Sequence, residues 1–344
     1  MKSVLEIIYK QVKNNPNGEA LHYLENEQYK PITFLELALN SQRLNEFILE
    51  NCDDGANVII WSNNCWQWAV TDLACQLAGV VSVPIYPTAG LDQLSYIFND
   101  SKPVIVFVDY LTKERLDSLS SIDSIKKIIP YFSFEDRGSN SDVIMFDDLL
   151  SFLPHQDQLN DSDWIKDRLD QNFTVLYTSG TTGIPKAVPL THNNIVQNFL
   201  GILDIIPITK NDTSLSFLPL SHIFERTVGF FCVLGVGAKI YYAESIDTVA
   251  RDLLVAKPTF IISVPRLYEK IYQKVVSNAK GAKKVILNLA LAIGRTFKRR
   301  SFLWNIAYKV VFSKIHQKTG GNVRFLVTGG APIPAHIEVF FNSI

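Results

Sequence analysis

No hydrophobic run in this sequence is long enough to cross a bilayer. The longest covers residues 228–238 and is interrupted by Gly229, Gly235 and Gly237, whereas a spanning helix needs about 20 apolar residues. The N-terminal segment MKSVLEIIYKQVKNN lacks the continuous apolar core of a signal peptide, because charged residues recur through it. Cysteine is scarce: Cys52, Cys65, Cys75 and Cys232 are the four present. They form no CxxC pair and no metal-ligand spacing with histidine, so a zinc or redox motif is excluded and small buried hydrophobes in a reducing compartment are expected. A net charge of −1 gives no global attraction to nucleic acid. Internal repeats and low-complexity tracts are also missing. These absences point to a soluble, cytoplasmic protein.

What is present is globular in composition. Hydrophobic residues make up 47% and charged residues 19% of 344, enough for a large core and more than one lobe. Thr33 precedes an apolar pattern of helical spacing and is followed three residues later by Glu36, the signature of a capping box. NVIIW at 57–61 reads as a short buried strand, 63–78 as a helix ending at Gly79, 80–84 as a strand, 92–100 as a helix and 103–108 as a strand. Such alternation implies a parallel sheet with helices on its faces. Residues 133–163 are rich in Ser, Asp and Asn and weakly periodic, and read as surface connections. A second alternating section starts at Phe173. It comprises strand FTVLYT, a glycine-rich loop, a strand over 187–190, a helix capped by Thr191, strands over 213–218, 239–242 and 259–264, a helix opened by Pro265, and a strand over 323–327.

The glycine-rich loop carries the chemistry. In YTSGTTGIPKAVPLTH, residues 177–192, Gly180 and Gly183 allow positive φ and close approach of a ligand. Thr178, Ser179, Thr181 and Thr182 supply four hydroxyls, consecutive backbone N–H groups in such a turn form an anion-binding concavity, and Lys186 adds a full positive charge. The loop suits a polyphosphate. A plain flexible connector fits poorly, since strands enter and leave and Pro185 stiffens the exit. A P-loop NTPase motif is excluded, because Lys186 follows Pro185 rather than glycine and Ala187 stands where Ser or Thr would hold magnesium.

The segment resembles, nearly letter for letter, the phosphate loop of the adenylate-forming (AMP-binding) superfamily of acyl-CoA synthetases, luciferases and peptide-synthetase adenylation domains. Ala187 departs from it, where members usually carry glycine. LPLSHIFERTV at 218–228, KPTFIISVPRLYEKIYQKV at 257–275 and the stretch from 312 to 341 containing Gly329, Gly330, Ala331 and Pro332 resemble the long-chain fatty acid–CoA ligase branch. The resemblance implies an α/β fold: the large N-terminal domain of these enzymes, built as two sheet-and-helix lobes with the phosphate loop where they meet, the C-terminal domain missing. The expected lobes are 1–170 and 171–344, the second holding loop 177–186 and a basic helical insert at 279–318.

It also implies activation of a long-chain fatty acid by Mg·ATP to acyl-AMP, then transfer to coenzyme A. Lys186 and His222 are the implied catalytic residues. Thr178, Ser179, Gly180, Thr181, Thr182, Gly183 and Lys186 would bind the phosphates, and Gly329, Gly330, Ala331 and Pro332 would lie against adenine; no residue is assigned to the metal. A lone histidine is more often packed or capping, and the Gly-Gly-Ala-Pro turn is also an ordinary strand-to-helix turn. Glu225 and Arg226 read either as a surface ion pair or as residues that orient the same loop. The family's Tyr-Gly-x-Thr-Glu motif, ribose-binding aspartate, hinge and C-terminal lysine have no counterpart in these 344 residues, so the chain as given is expected to turn over little substrate. Two other readings stand beside the ligase: a non-catalytic nucleotide or acyl binder, and an adenylating enzyme whose acceptor is a carrier-protein thiol.

Charge is unevenly spread. Residues 270–337 contain no Asp or Glu but thirteen Lys and Arg, with Lys298, Arg299 and Arg300 in a row. Apolar and aromatic residues interleave with them. This pattern suits peripheral contact with an anionic membrane at its inner face through 279–318. It is also what a solvated helical face packed by its apolar side would show, and nucleic-acid binding is the weaker alternative because no recognised module accompanies the charge.

Overall fold

Thr33 starts the longest helix as its sequence demands. Its hydroxyl accepts from the Glu36 amide at 3.1 Å, and the Glu36 carboxylate accepts from the Thr33 amide at 2.8 Å, so two of the helix's orphan donors are satisfied at once. The structure, a computed structural model, describes residues 1–110, 112–132, 142–154, 158–178 and 185–344. They form two compact units, one of Met1–Asn211 with Leu218–Tyr242 and one of Asp212–Phe217 with Ala243–Ile344.

The first unit runs α1 (Val4–Asn14), β1 (Glu19–Glu25), β2 (Gln28–Thr33), α2 (Phe34–Asn51), β3 (Asn57–Trp61), α3 (Trp66–Ala78), β4 (Val81–Ile85), α4 (Leu91–Ser101), β5 (Ile105–Val108), α5 (Lys113–Ser120), β6 (Lys127–Pro130), α6 (Phe146–Phe152), α7 (Asp161–Trp164), β7 (Asn172–Thr178), β8 (Lys186–Thr191) and α8 (His192–Ile205). After β9 (Thr213–Ser216), which belongs to the second unit, it resumes with a π-helix (Glu225–Cys232), α9 (Val233–Gly235) and β10 (Lys239–Tyr242). Its main sheet has the order β6-β5-β3-β4-β7-β8; every pairing is parallel except β7 with β8. The alternation read from 57–108 thus yields the parallel sheet it implied. The central strands are almost wholly buried, which is why β3 and β5 read as short apolar runs and why the one polar side chain of β4, Ser82, is itself buried. One layer of core joins Ile59, Trp61, Val83, Val106 and Val108 to Ile97 and Phe98 of α4. α3 ends where Gly79 takes φ +78°, the left-handed cap that only glycine adopts without strain.

Residues 133–163 are more than surface connections. α6 and the start of α7 lie there, Phe146 is fully buried, and it packs edge-on against Tyr131 and Trp66 at 5.2 and 5.7 Å. Residues 133–141 and 155–157 fall outside the described part.

The second unit holds β9, α10 (Val249–Ala256), β11 (Phe260–Ser263), α11 (Pro265–Asn278), α12 (Ala282–Thr296), α13 (Phe302–Ala307), a π-helical turn (Tyr308–Phe312), α14 (Ser313–Gln317), β12 (Phe325–Thr328) and α15 (Ala335–Ser343). β11 and β12 pair in parallel from Phe260↔Phe325 to Ser263↔Thr328. The Thr259 amide donates to the Thr213 carbonyl at 2.9 Å beside them. The helical insert is two rods rather than one: a turn at 297–301 separates α12 from α13. At Gly294 a Cβ would come within 2.0 Å of the Ser343 carbonyl, so glycine there lets α12 and α15 touch.

Candidate functional site

The loop implied by the sequence sits at the tip of a hairpin. β7 and β8 are antiparallel, and Thr178 faces Lys186 in the last register pair. Both residues are exposed. Ser179, Gly180, Thr181, Thr182 and Gly183 lie outside the described residues, so of the predicted phosphate-binding set the structure places Thr178 and Lys186. Their pairing is the end of the β7–β8 ladder nearest the segment.

Beneath this base β7 is clamped. The Tyr177 hydroxyl donates to the Asp100 carboxylate at 2.6 Å; burial and that carboxylate hold the phenol's pKa well above its usual value. Thr174, four residues before Thr178, is fully buried. It accepts from Arg226 Nη1 at 2.9 Å and donates to the Ser82 carbonyl at 2.6 Å. Arg226 and Asp72 are both completely buried. Arg226 Nε donates to Asp72 Oδ2 at 3.0 Å and Nη2 to Asp72 Oδ1 and to Ser82 Oγ, while the guanidinium stacks over the Phe173 ring at 4.1 Å. The reading of Glu225 and Arg226 as a surface pair is therefore corrected: both are buried, and Arg226 takes its counter-charge from α3, 154 residues away. Arg226 ties the π-helix, α3, β4 and β7 together directly under the hairpin.

His222 precedes the same π-helix. Asn64 brackets its loop, donating to the Leu218 carbonyl at 2.7 Å and accepting from the Leu220 amide at 2.8 Å. His222 is exposed. Its Nδ1 accepts from the Phe224 amide at 3.1 Å, and its ring meets Tyr86 edge to face at 6.4 Å. Desolvation lowers its pKa. The result is a neutral imidazole whose remaining proton is on Nε2. The local role expected of a lone histidine, capping its own turn, is real. No hydrogen bond or ring contact joins His222 to Lys186 among the described residues.

In the second unit Gly329, Gly330, Ala331 and Pro332 form the turn from β12 into α15. The Gly329 amide donates to the Ser263 carbonyl at 3.4 Å, which anchors the turn on β11. Gly330 has φ +78°, so a side chain there would be strained. Gly330, Ala331 and Pro332 are exposed. The same unit contains a cavity of 580 Å³ lined in part by Tyr268, Phe297, Ile315 and Phe341; none of the predicted site residues borders it. The sequence reading missed Asn64, Asp72, Tyr86 and Asp100, because each reaches the site from a distant element and none stands in a motif.

Comparison with known proteins agrees with this architecture. The family model described as AMP-binding enzyme matches residues 8–344. Long-chain-fatty-acid–CoA ligase 5 of Rattus norvegicus is 30% identical over 369 aligned residues, covering 99% of this chain and 53% of that protein. Peroxisomal long chain acyl-CoA synthetase 7 of Arabidopsis thaliana is 31% identical, covering 91% of this chain and 46% of that protein. The chain thus spans about half the length of the curated relatives it matches. Among solved structures, the adenylation domain of a carboxylate reductase from Mycobacterium chelonae superposes with TM-score 0.75 at 20% identity, covering 99% of this chain and 56% of its own. An anthranilate CoA ligase in complex with anthranoyl-AMP gives 0.74 at 17%, covering 98% and 57%. With its parallel sheet, its hairpin-borne glycine-rich loop and a family match over nearly all its length, the chain belongs to the AMP-binding enzymes.

Proposed function

We propose that this chain takes part in ATP-dependent activation of a long-chain fatty acid, first to acyl-AMP and then to acyl-CoA, in the cytoplasm. One observation carries the reading: the Thr178/Lys186 pair closes a Ser-Gly-Thr-Thr-Gly segment at the tip of a hairpin whose root is locked by Arg226 and Tyr177. A rigid base under a loop dense in hydroxyl and amide donors is what electrostatic preorganisation requires. Relatives named as long-chain fatty acid–CoA ligases favour this substrate class.

In the first step a fatty carboxylate oxygen bonds to the α-phosphorus of ATP and the bond to pyrophosphate breaks. In the second, the CoA thiolate adds to the acyl carbonyl and AMP leaves. The loop donors and Lys186 would hold the β- and γ-phosphates and the charge that develops on the leaving pyrophosphate. Magnesium enters on the nucleotide as part of the substrate. His222 Nε2–H would orient the carboxylate or α-phosphate, and the Gly329–Pro332 turn, exposed from Gly330 on, would lie against adenine.

The test is fatty-acid-dependent exchange of pyrophosphate into ATP, followed by consumption of free CoA. Exchange together with loss of CoA thiol supports the ligase. Exchange with CoA untouched and a carrier-protein thiol acylated would replace it with the carrier-dependent reading. ATP binding without either reaction would make the chain a binder.

A further inference from the structure

We propose that the hairpin formed by α12, the turn at 297–301 and α13 with the π-helical turn is a docking surface for an anionic lipid bilayer. The argument starts from two apolar faces where one would suffice. Leu287, Ala290 and Leu291 of α12 and Trp304, Ala307 and Phe312 of the second rod are buried in one cluster with Phe340. That face satisfies the packing of both helices. Two positions away in sequence, about 200° around a helix, lie Val285 and Leu289 on α12 and Phe302 and Ile306 on α13. They are exposed: 68% and 62% on α12, and 79% and 44% on α13. Val310 continues the second stripe at i+4 with 48% exposure. Unpartnered apolar stripes on adjoining helices are unusual on a protein surface.

The charge around them selects the occupant. Lys283, Lys284, Arg295, Lys298, Arg300 and Lys309 are all exposed, and no carboxylate side chain occurs anywhere in 270–337 to neutralise them. A protein partner would have to bring an acidic rim matched to an apolar stripe; a bilayer of anionic headgroups over hydrocarbon presents both layers at once. Among the described residues no helix is long and apolar enough to cross a membrane, so the hairpin lies on the surface. Solvation of an ordinary outer face does not account for exposed Phe302 and Leu289 in a segment whose inner face is already packed.

The experiment is co-sedimentation of the full chain with vesicles of phosphatidylcholine alone and of phosphatidylcholine with phosphatidylglycerol. Two variants accompany it: Phe302→Ser with Ile306→Ser, and Arg295→Gln with Lys298→Gln and Lys309→Gln. These side chains are exposed, so thermal melts of both should match the parent. Expected are binding to the anionic vesicles at least about tenfold tighter than to the neutral ones, weakening with salt, and a loss of about tenfold or more in each variant. Equal binding to both vesicle types, variants that bind like the parent, or preference for duplex DNA over the anionic vesicles would overturn the proposal. So would self-association abolished by the serine variant without any vesicle binding, which would assign the stripe to a second copy of the chain. None of these readouts depends on ATP or acyl transfer.

Discussion

Arg226 of the π-helix and Asp72 of α3 form a fully buried ion pair directly below the strand that launches the glycine-rich loop. Both side chains have 0% exposure. Removing one partner should strand the other charge: Arg226→Met is expected to cost about 3–5 kcal/mol in urea denaturation. Arg226→Met with Asp72→Leu should recover most of that, because Thr174 and Ser82 keep their own acceptors at the Ser82 and Phe173 carbonyls. A single variant that loses less than about 1 kcal/mol would show that the pair is not the clamp described.

Lys186 stands at the exposed end of β8, opposite Thr178. Lys186→Ala should therefore leave the melting temperature almost unchanged while weakening ATP binding by about 1.5–3 kcal/mol, the size of a charge-assisted hydrogen bond. Calorimetric titration with ATP measures it. Unchanged affinity combined with an earlier melt would make Lys186 a structural residue.

The parts of this fold visible in the sequence are those whose signal is local. NVIIW, PVIVFV and FTVLYT are apolar runs between breakers. Thr33 with Glu36 and Thr191 with Asn194 are capping pairs separated by three residues. Gly79 marks a helix end by its missing side chain. The loop's chemistry is legible for the same reason, since its donors are contiguous. The burial of Arg226 is not, because its partners come from α3, β4 and β7, and nothing in ERTV distinguishes a buried arginine from a solvated one. α6 is hidden by the Asp and Ser around Phe146, whose ring packs against Tyr131 and Trp66. The orientation of His222 depends on the Phe224 amide and on Asn64 far upstream. The π-helix at Glu225–Cys232 carries no sequence sign that we recognise.

Acid should destabilise the first unit through His192. This residue is 2% exposed, accepts from the Val4 amide at 3.4 Å and packs edge-on against Phe173 at 5.4 Å. Burial, and then the nearby Arg168 and Arg226, push its pKa down to about 3. The folded state therefore keeps it neutral where the unfolded chain, titrating near its ordinary 6.5, takes up a proton. Stability is full above that ordinary value and falls as pH drops from about 6.5 toward 3, by about 2 kcal/mol at pH 5. His192→Asn keeps an acceptor for the Val4 amide and removes the titration. Its urea stability should accordingly vary less between pH 7 and 5 than the parent's. An equal slope in the two proteins would assign the acid sensitivity elsewhere.

The assignment of His222 can be separated from its capping role, because its two ring nitrogens do different things. Nδ1 accepts from the Phe224 amide and steadies the turn into the π-helix. Nε2 carries the proton. Asparagine places its side-chain oxygen near the position of Nδ1, and glutamine places its amide nitrogen near Nε2. His222→Ala should reduce affinity for a non-hydrolysable acyl-adenylate analogue by about tenfold, the loss of one hydrogen bond to a charged ligand. Stability should change by less than about 1 kcal/mol, since the side chain is exposed. His222→Gln should restore part of the binding, and His222→Asn should restore the melting temperature but not the binding. The reverse pattern, with asparagine rescuing ligand affinity and glutamine failing, would mean that the imidazole serves only to cap the turn. The ligand would then take its donor from another residue of the loop.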